Sequence, residues 1–255
     1  MTRGWAGLTL LALTASAVAG AEPAAQRAVG PDDLAYVYGV GRFSPEYAPP
    51  KPGTYGLPPI DDVADHPLVG SDGRPTTLYA LTRARVAVVA FVYTSCAEAA
   101  GCPVSMGVLH RLDGDVAADP ILRHRVRLVT LSFDPERDTP ARLASVRALH
   151  EPRTDWAFAT APDEAQLAPL LLDFGQPVAR LHFDDGRWTG LYRHVLKVFL
   201  VDPRHRVRNV YSTGFLHPEL ILNDIRTLLL EGESQPRASG LTRGADTEPQ
   251  NRLLP

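Results

Sequence analysis

The sequence predicts an α/β fold, a central mixed sheet flanked by helices, with a Pro-rich extension before it and a disordered tail after it. Three observations carry this expectation. Strand-like apolar runs alternate with segments whose apolar residues recur at helical spacing. Turn and cap residues stand at the joints between them. Towards the end the pattern changes to two strand-like runs joined by Asp202-Pro203-Arg204, followed by a last helix.

Taken in order, Arg85 to Tyr93 is a run of Val, Ala and Phe, the mark of a strand covered on both faces. Pro103 then opens a helix whose stripe is Val104, Val108, Leu109, Leu112 and Val116. Val126 to Phe133 is a second strand. Thr139-Pro140 supplies an N-cap and a proline at the first helical position, for a helix to about His150. Trp156 to Ala159 reads as a short strand, and Asp163 to Phe174 as a helix stopped by Gly175. His194 to Val201 and Arg206 to Ser212 form a hairpin, and His217-Pro218 begins a helix to about Leu230. Strand–helix alternation, then a hairpin and a final helix, is an α/β sandwich of thioredoxin type.

The ends differ in character from this domain, which we bound at 58–231. Arg3, the apolar stretch Trp5 to Val18, and the small-residue sites Ala17-Val18-Ala19 and Ala19-Gly20-Ala21 follow in the order of an export signal, assigned to 1–21. A membrane anchor needs about 20 apolar residues, and this stretch is shorter and contains Thr and Ser. No cysteine stands near the cleavage sites to mark a lipoprotein. We therefore expect an exported, periplasmic protein, the alternative being an uncleaved segment that holds the chain on the inner membrane facing the periplasm. Residues 22–57 are rich in Pro, Gly, Ala and Tyr and read as an extended lead-in, and 232–255 as a disordered tail. The net charge of −3, with arginines interleaved among acids, gives no basic patch for nucleic acid.

The chemistry lies in two cysteines, Cys96 and Cys102, separated by five residues. In an oxidising compartment they are able to form a disulfide. A structural disulfide gains most from closing a long loop, so this short one points to redox or metal chemistry. Cys96 follows a strand and Cys102 precedes Pro103, so Cys102 is placed at a helix N-terminus, where thiol pKa values fall. The acidic stretch Asp134, Glu136, Asp138 offers groups for general acid-base work, but Asp134 and Asp138 read better as flanking a turn and capping the next helix, and the stretch as shaping the loop near the chemical site. Phosphate loops, nucleophile elbows and zinc-protease motifs are absent.

Tyr93-Thr94-Ser95-Cys96, Gly101-Cys102-Pro103, the stretch Leu131 to Pro140 with its Asp-Pro-Glu-Arg-Asp-Thr-Pro, and His194 ahead of Phe199-Leu200-Val201-Asp202-Pro203 together resemble the Sco/SenC family, over roughly residues 55–230. The resemblance implies a thioredoxin-like domain that binds copper, as Cu(I) or Cu(II), through Cys96, Cys102 and His194. It implies a role in assembling the copper centre of cytochrome c oxidase. The partner would be an oxidase subunit or another copper-accepting protein, with a membrane met only through that client or an uncleaved signal. Some family members are instead thiol-disulfide reductases or redox sensors using the same cysteine pair.

The chain departs from the family pattern twice. The family usually has three residues between the cysteines and a proline after each; here there are five, and Ala97 follows Cys96. Gly101 with Ala97, Ala99 and Ala100 makes the longer loop pliable. Arg193 stands where the family commonly has Asp, which removes an outer carboxylate from His194 and is expected to change affinity.

Soft thiolates with an imidazole suit copper, and thiolates favour its monovalent state. Structural zinc takes four ligands; the sequence offers three, leaving zinc open only with a water as the fourth. The other histidines fit worse. His110 lies about 12 Å along the helix axis from Cys102 at 1.5 Å per residue. His205 sits in a turn, His150 and His217 at helix ends, and His66, His124 and His182 at loops or strand edges. Met106 reads as a core gap-filler.

Copper delivery, which involves no turnover, competes with a thiol-disulfide oxidoreductase. Thioredoxin-type reductases place a cis-Pro before the strand facing their cysteines, and Gly186 to Val201 has no proline. A peroxide-reducing enzyme of this fold carries Thr three residues before its reactive Cys, where this chain has Tyr93.

Overall fold

The computed structural model describes Met1 and residues 37–38, 41–42, 48–96, 98 and 101–234. Apart from Met1, the export signal expected at 1–21 lies outside the described residues, as does the tail expected at 232–255 from residue 235 on; residues 232–234 are not tail but the end of the last helix.

The fold is a mixed sheet flanked by helices. Val86–Val92 (β6) is buried along its whole length, as its unbroken run of apolar residues requires. It pairs in parallel with Val126–Ser132 (β7), which pairs in parallel with Trp156–Thr160 (β8). Outside β8 lie Pro67–Gly70 (β4) and Pro75–Thr77 (β5), both antiparallel. On the other side of β6, Lys197–Val201 (β11), Arg206–Ser212 (β12) and Asp61–Asp62 (β3) complete the order β3-β12-β11-β6-β7-β8-β4-β5. Val37–Tyr38 (β1) and Gly41–Arg42 (β2) pair with each other.

The helices are Leu78–Thr82 (α1), Cys102–Ala118 (α2), Pro120–Arg125 (α3), Pro140–His150 (α4), Glu164–Asp173 (α5) and Pro218–Ser234 (α6). α2 touches α6 as well as β6 and β7, while α4 lies on β8. Caps fall where the sequence puts them. The Thr139 hydroxyl accepts from the Arg142 N–H, and the Asp163 carboxylate from that of Gln166.

Three features depart from the sequence reading. The run from His194 to Val201 is not one strand. His194 ends Trp188–His194 (β10), which pairs with Val178–His182 (β9) in a separate two-stranded sheet, and the central sheet resumes at Lys197. The cause is burial: Val198 to Val201 are buried in the core while Val195 is half exposed. Polar, partly exposed β9 and β10 gave no clean period. His124, read as a loop or strand edge, lies in α3, whose N-cap is Asp119. Asp138 does not cap α4; Thr139 does, and Asp138 is turned to another task described below.

The end of the Pro-rich segment packs on α6. The Gly53 N–H donates to Thr227 Oγ1 at 3.0 Å, and the Asn223 side chain donates to the Pro50 carbonyl at 3.1 Å. The Tyr55 hydroxyl donates to Asp224 at 2.5 Å, and Asp224 also accepts from Tyr211 and Asn209. Burial and this acceptor push the Tyr55 pKa up to about 12. Tyr55→Phe is expected to lower stability by about 1 kcal/mol, since Asp224 keeps its other donors; urea unfolding against the parent measures it.

Candidate metal centre

Cys96 and Cys102 are set by the crossing from β6 into α2. After β6 the chain turns at Tyr93-Thr94-Ser95, with the Cys96 N–H donating to the Tyr93 carbonyl at 3.2 Å. Gly101 precedes α2, and Cys102 is its first residue, one position earlier than the Pro103 start read from sequence. A Cβ on Gly101 would meet Cys96 Sγ at 3.4 Å and the Glu98 carbonyl at 3.3 Å, so the turn is tight at that point. Ala97, Ala99 and Ala100, read as making the loop pliable, lie outside the described residues.

The loop is anchored by Asp138, which has no exposed surface. Its carboxylate accepts from the Thr94 N–H at 2.9 Å, from the Thr94 hydroxyl, and from the Ser132 hydroxyl at 2.5 Å. One side chain thus ties the end of β6 to the end of β7.

His194 reaches the cysteines from β10. Its Nε2 is 3.7 Å from Cys102 Sγ, and the two sulfurs and one imidazole nitrogen lie within 4.8 Å of one another. Its Nδ1 faces the Tyr192 carbonyl at 3.5 Å. Two rings pack on it, Phe133 at 5.2 Å and Tyr93 at 5.7 Å from its centroid, and Tyr192 packs against both of those rings. Arg193 is exposed. The carboxylate missing beside His194 is therefore replaced by a backbone carbonyl and an aromatic wall.

The hairpin is pinned by Arg137. Its Nε donates to the buried Asp134, its Nη1 to the Gly190 carbonyl at 2.9 Å, and its guanidinium lies 4.3 Å from the centroid of Trp188. Burial, then the charge of Asp134, raise the pKa of Tyr192. The sequence reading missed Arg137, Tyr192, Tyr93 and Phe133 as parts of the site. Alternation along β10 places Tyr192 on the face of His194, which was a usable signal once the strand was bounded correctly.

The charge on the sulfurs runs opposite to expectation. Cys102, not Cys96, was expected to be the acidic thiol. In the structure Cys102 is 4% exposed, and hydrogen bonding with Cys96, burial and the Cys96 charge push its pKa up. The Cys96 pKa falls to about 5, chiefly because the Cys102 thiol donates to it, with further help from the backbone N–H groups of Cys102 and Glu98 and from Tyr93. The helix N-terminus does stabilise a thiolate, but that thiolate belongs to the residue facing it across the turn. Tyr93 is itself raised to about 12 by burial and by Cys96. Both thiols are free.

Other histidines are engaged elsewhere. His66 pairs with Asp173 at 2.8 Å, and His205 stacks on Tyr79 with centroids 3.6 Å apart. His110 and His150 face each other between α2 and α4. Burial, with His110 beside it, lowers the pKa of His150.

An ion about 2.0 to 2.3 Å from nitrogen and sulfur donors keeps them within roughly 4.6 Å of one another. The observed spread of 4.8 Å needs a closure of only tenths of an ångström. Two soft sulfurs and one imidazole on a thioredoxin-like scaffold define the class: a domain built to hold a thiophilic ion or to cycle a thiol pair.

The comparisons agree. The sequence model of the SCO1/SenC family matches residues 60–230, and the chain belongs to that family. No curated protein matches the sequence. Among solved structures, a SCO1/SenC family lipoprotein from Bacillus anthracis str. Ames is similar at 22% identity and TM-score 0.57, over 67% of this chain and 97% of that one. Arabidopsis thaliana ScoI with copper bound is similar at 18% identity and TM-score 0.55, over 66% and 98%. BsSco, described as a Sco-family cytochrome c oxidase assembly protein with a disulfide switch, is similar at 23% identity and TM-score 0.52, over 67% and 95%. At these identities the likeness establishes the fold. Among the described residues no helix is long and apolar enough to cross a membrane.

Two outcomes follow from this geometry. Asp138→Ala strands the Thr94 and Ser132 donors and is expected to cost about 3 kcal/mol in urea unfolding. In reduced, metal-free protein, iodoacetamide should modify Cys96 and spare Cys102. A folded pKa near 5 keeps Cys96 ionised throughout pH 6 to 8, so its rate should be flat there and fall only near pH 5. Peptide mapping after brief labelling at several pH values reads both.

Proposed function

We propose that this protein binds one copper ion between Cys96 Sγ, Cys102 Sγ and His194 Nε2 and hands it to a copper-accepting protein, in assembly of a respiratory copper centre of the cytochrome c oxidase type. The observation that carries the reading is the convergence of the three ligand atoms within 4.8 Å. The donor set suits it: thiolates hold monovalent copper, and imidazole adds a ligand that divalent copper favours. Family membership and the copper-bound state of Arabidopsis thaliana ScoI support the choice of metal. A partly exposed Cys96 gives an incoming acceptor thiol a sulfur to approach while the buried Cys102 stays behind. The protein acts after export, in the periplasm, with 1–21 removed.

A second reading is favoured by one observation, the low pKa of Cys96 beside a second free thiol. That is the arrangement of a thiol-disulfide oxidoreductase or redox sensor, and it would cycle a Cys96–Cys102 disulfide.

Reduced protein prepared without oxygen should carry about one equivalent of copper, and Cys96→Ser or Cys102→Ser should abolish tight binding, because a hard hydroxyl replaces a thiolate. Either single variant binding like the parent would remove that cysteine from the site. His194→Ala separates the two readings. It should lose divalent copper almost entirely and monovalent copper in part, while the dithiol potential moves by no more than a few tens of millivolts. Cells carrying it should lose oxidase activity as the cysteine variants do. Normal oxidase activity in those cells, alongside failing cysteine variants, would favour the thiol-disulfide reading.

A further inference from the structure

The end of the sheet away from the cysteines has no part in the metal centre. Arg127, near the start of β7, pairs with Ala87 of β6, five residues before Val92, the last residue of that strand. At about 3.3 Å per residue, roughly 17 Å of strand separates it from the thiol end. A cavity of about 480 Å³ opens there, lined by arginines from three elements: Arg74 from the turn between β4 and β5, Arg127 from β7 and Arg147 from α4. Asp72 and Asp155 line it too. These carboxylates do not balance the guanidinium groups. Asp155 Oδ2 is shared by Arg85 Nη1, at 2.8 Å, and Arg127 Nη2. Asp72 pairs with the exposed Arg74 at 3.8 Å. Arg147 has no acidic partner among the described residues. Its Nε donates to the Trp156 carbonyl at 3.1 Å, which leaves Nη1 and Nη2 to donate elsewhere. Arg127 is held beside it, since Asp155 and Trp156 are consecutive. The Arg127 side chain is 17% exposed, and its Nε is buried without a hydrogen-bond partner among the described residues. Burial, then the charge of Arg85, lower its pKa, as for a cation that its neighbours under-compensate.

We propose that this cavity binds a small organic anion, its carboxylate or phosphate group held by Arg147 and Arg127 and its body lying along Leu81 and Ala157, which also line the cavity. The donor chemistry fits. A guanidinium presents a planar fork that matches two oxygens of either group, and such charge-assisted pairs are the strong ones. The size fits as well. Small-molecule pockets run from about 300 to 1,000 Å³, and this one leaves room for more than a bare oxyanion. The charge fits because a bound anion supplies what Asp155, divided between two arginines, cannot. The site does not depend on the copper reading. It stands at the opposite end of the sheet and shares no residue with the metal centre.

Citrate and glycerol 3-phosphate are the probes, titrated at fixed ionic strength into the full chain, reduced and free of metal. At least one should bind more tightly than about 1 mM, and which one binds tells a carboxylate from a phosphate ligand. Nitrogen-15 resonances of residues 70–76, Arg127, Arg147 and 155–158 should shift with saturation, while those of Cys96, Cys102 and His194 stay in place. Arg147→Gln should weaken binding at least about tenfold. Arg111→Gln, which removes an exposed arginine of α2 outside the cavity, should leave it unchanged. Neither probe binding by about 10 mM, shifts scattered over arginines elsewhere on the surface, or an Arg147→Gln protein that binds like the parent would each overturn the proposal. If Arg147→Gln does not fold, Asp72→Asn decides. It keeps an acceptor for the Arg74 N–H while removing a negative charge from the lining, so the anion should bind several-fold more tightly; unchanged or weaker binding overturns the site.

Discussion

Everything at the site hangs on the carboxylate of Asp138. It is fully buried and accepts from the Thr94 amide, the Thr94 hydroxyl and the Ser132 hydroxyl. Parallel pairing already aligns β6 with β7, but nothing in a sheet dictates where the chain goes after the last strand residue. Asp138 supplies that instruction. By holding Thr94 it fixes the take-off of the loop carrying Cys96, and Arg137, its neighbour, fixes the hairpin carrying His194. His194 meets Cys102 and Cys96, 92 and 98 residues away in sequence, because one short segment after β7 reaches in both directions. Such buried, charge-assisted contacts are costly when half made and position strongly when complete.

The electrostatics of the thiol pair follow from the same geometry. Two sulfurs this close cannot both ionise cheaply. The pair keeps one proton, and burial decides which sulfur keeps it. Cys102, inside the first turn of α2, stays protonated, and Cys96, nearer solvent, takes the charge and the turn's amide donors. In the proposed function, loading with copper displaces that remaining proton, so binding is linked to pH through Cys102.

Much of the architecture was legible because burial imposes periods on sequence. β6, β7, α2 and α4 are found close to where their apolar patterns put them, and Thr139 and Asp163 cap as their types suggest. The β9–β10 hairpin was not legible, since its strands are polar, half exposed and packed by Arg137 and rings of other elements, not by a sheet face. The ligand trio was legible only through the family pattern; His194 on its own is one histidine of eight. The acidity of Cys96 was hidden for another reason. A helix terminus is visible in sequence, but which of two sulfurs its amides face depends on the path of the loop. The acidic stretch was legible as a shaper of the loop near the site, whereas Asp138's capping of α4 was not its task, because its partners lie on β7 and in the loop after β6.

The two-sheet arrangement divides the ligands unequally. Cys102 belongs to the first turn of a long helix packed on the central sheet, and Cys96 to the loop that leaves the central strand just before it. His194 belongs to a two-stranded ribbon outside the main sheet, held to the domain by Arg137 and by ring packing and not by hydrogen bonds to the central sheet. Ribbon and junction therefore open at different free energies. In the proposed function the cargo would be gripped by one jaw built into the central sheet and a second held on by side chains, and letting go would cost the local opening of the second while the rest of the fold stays intact.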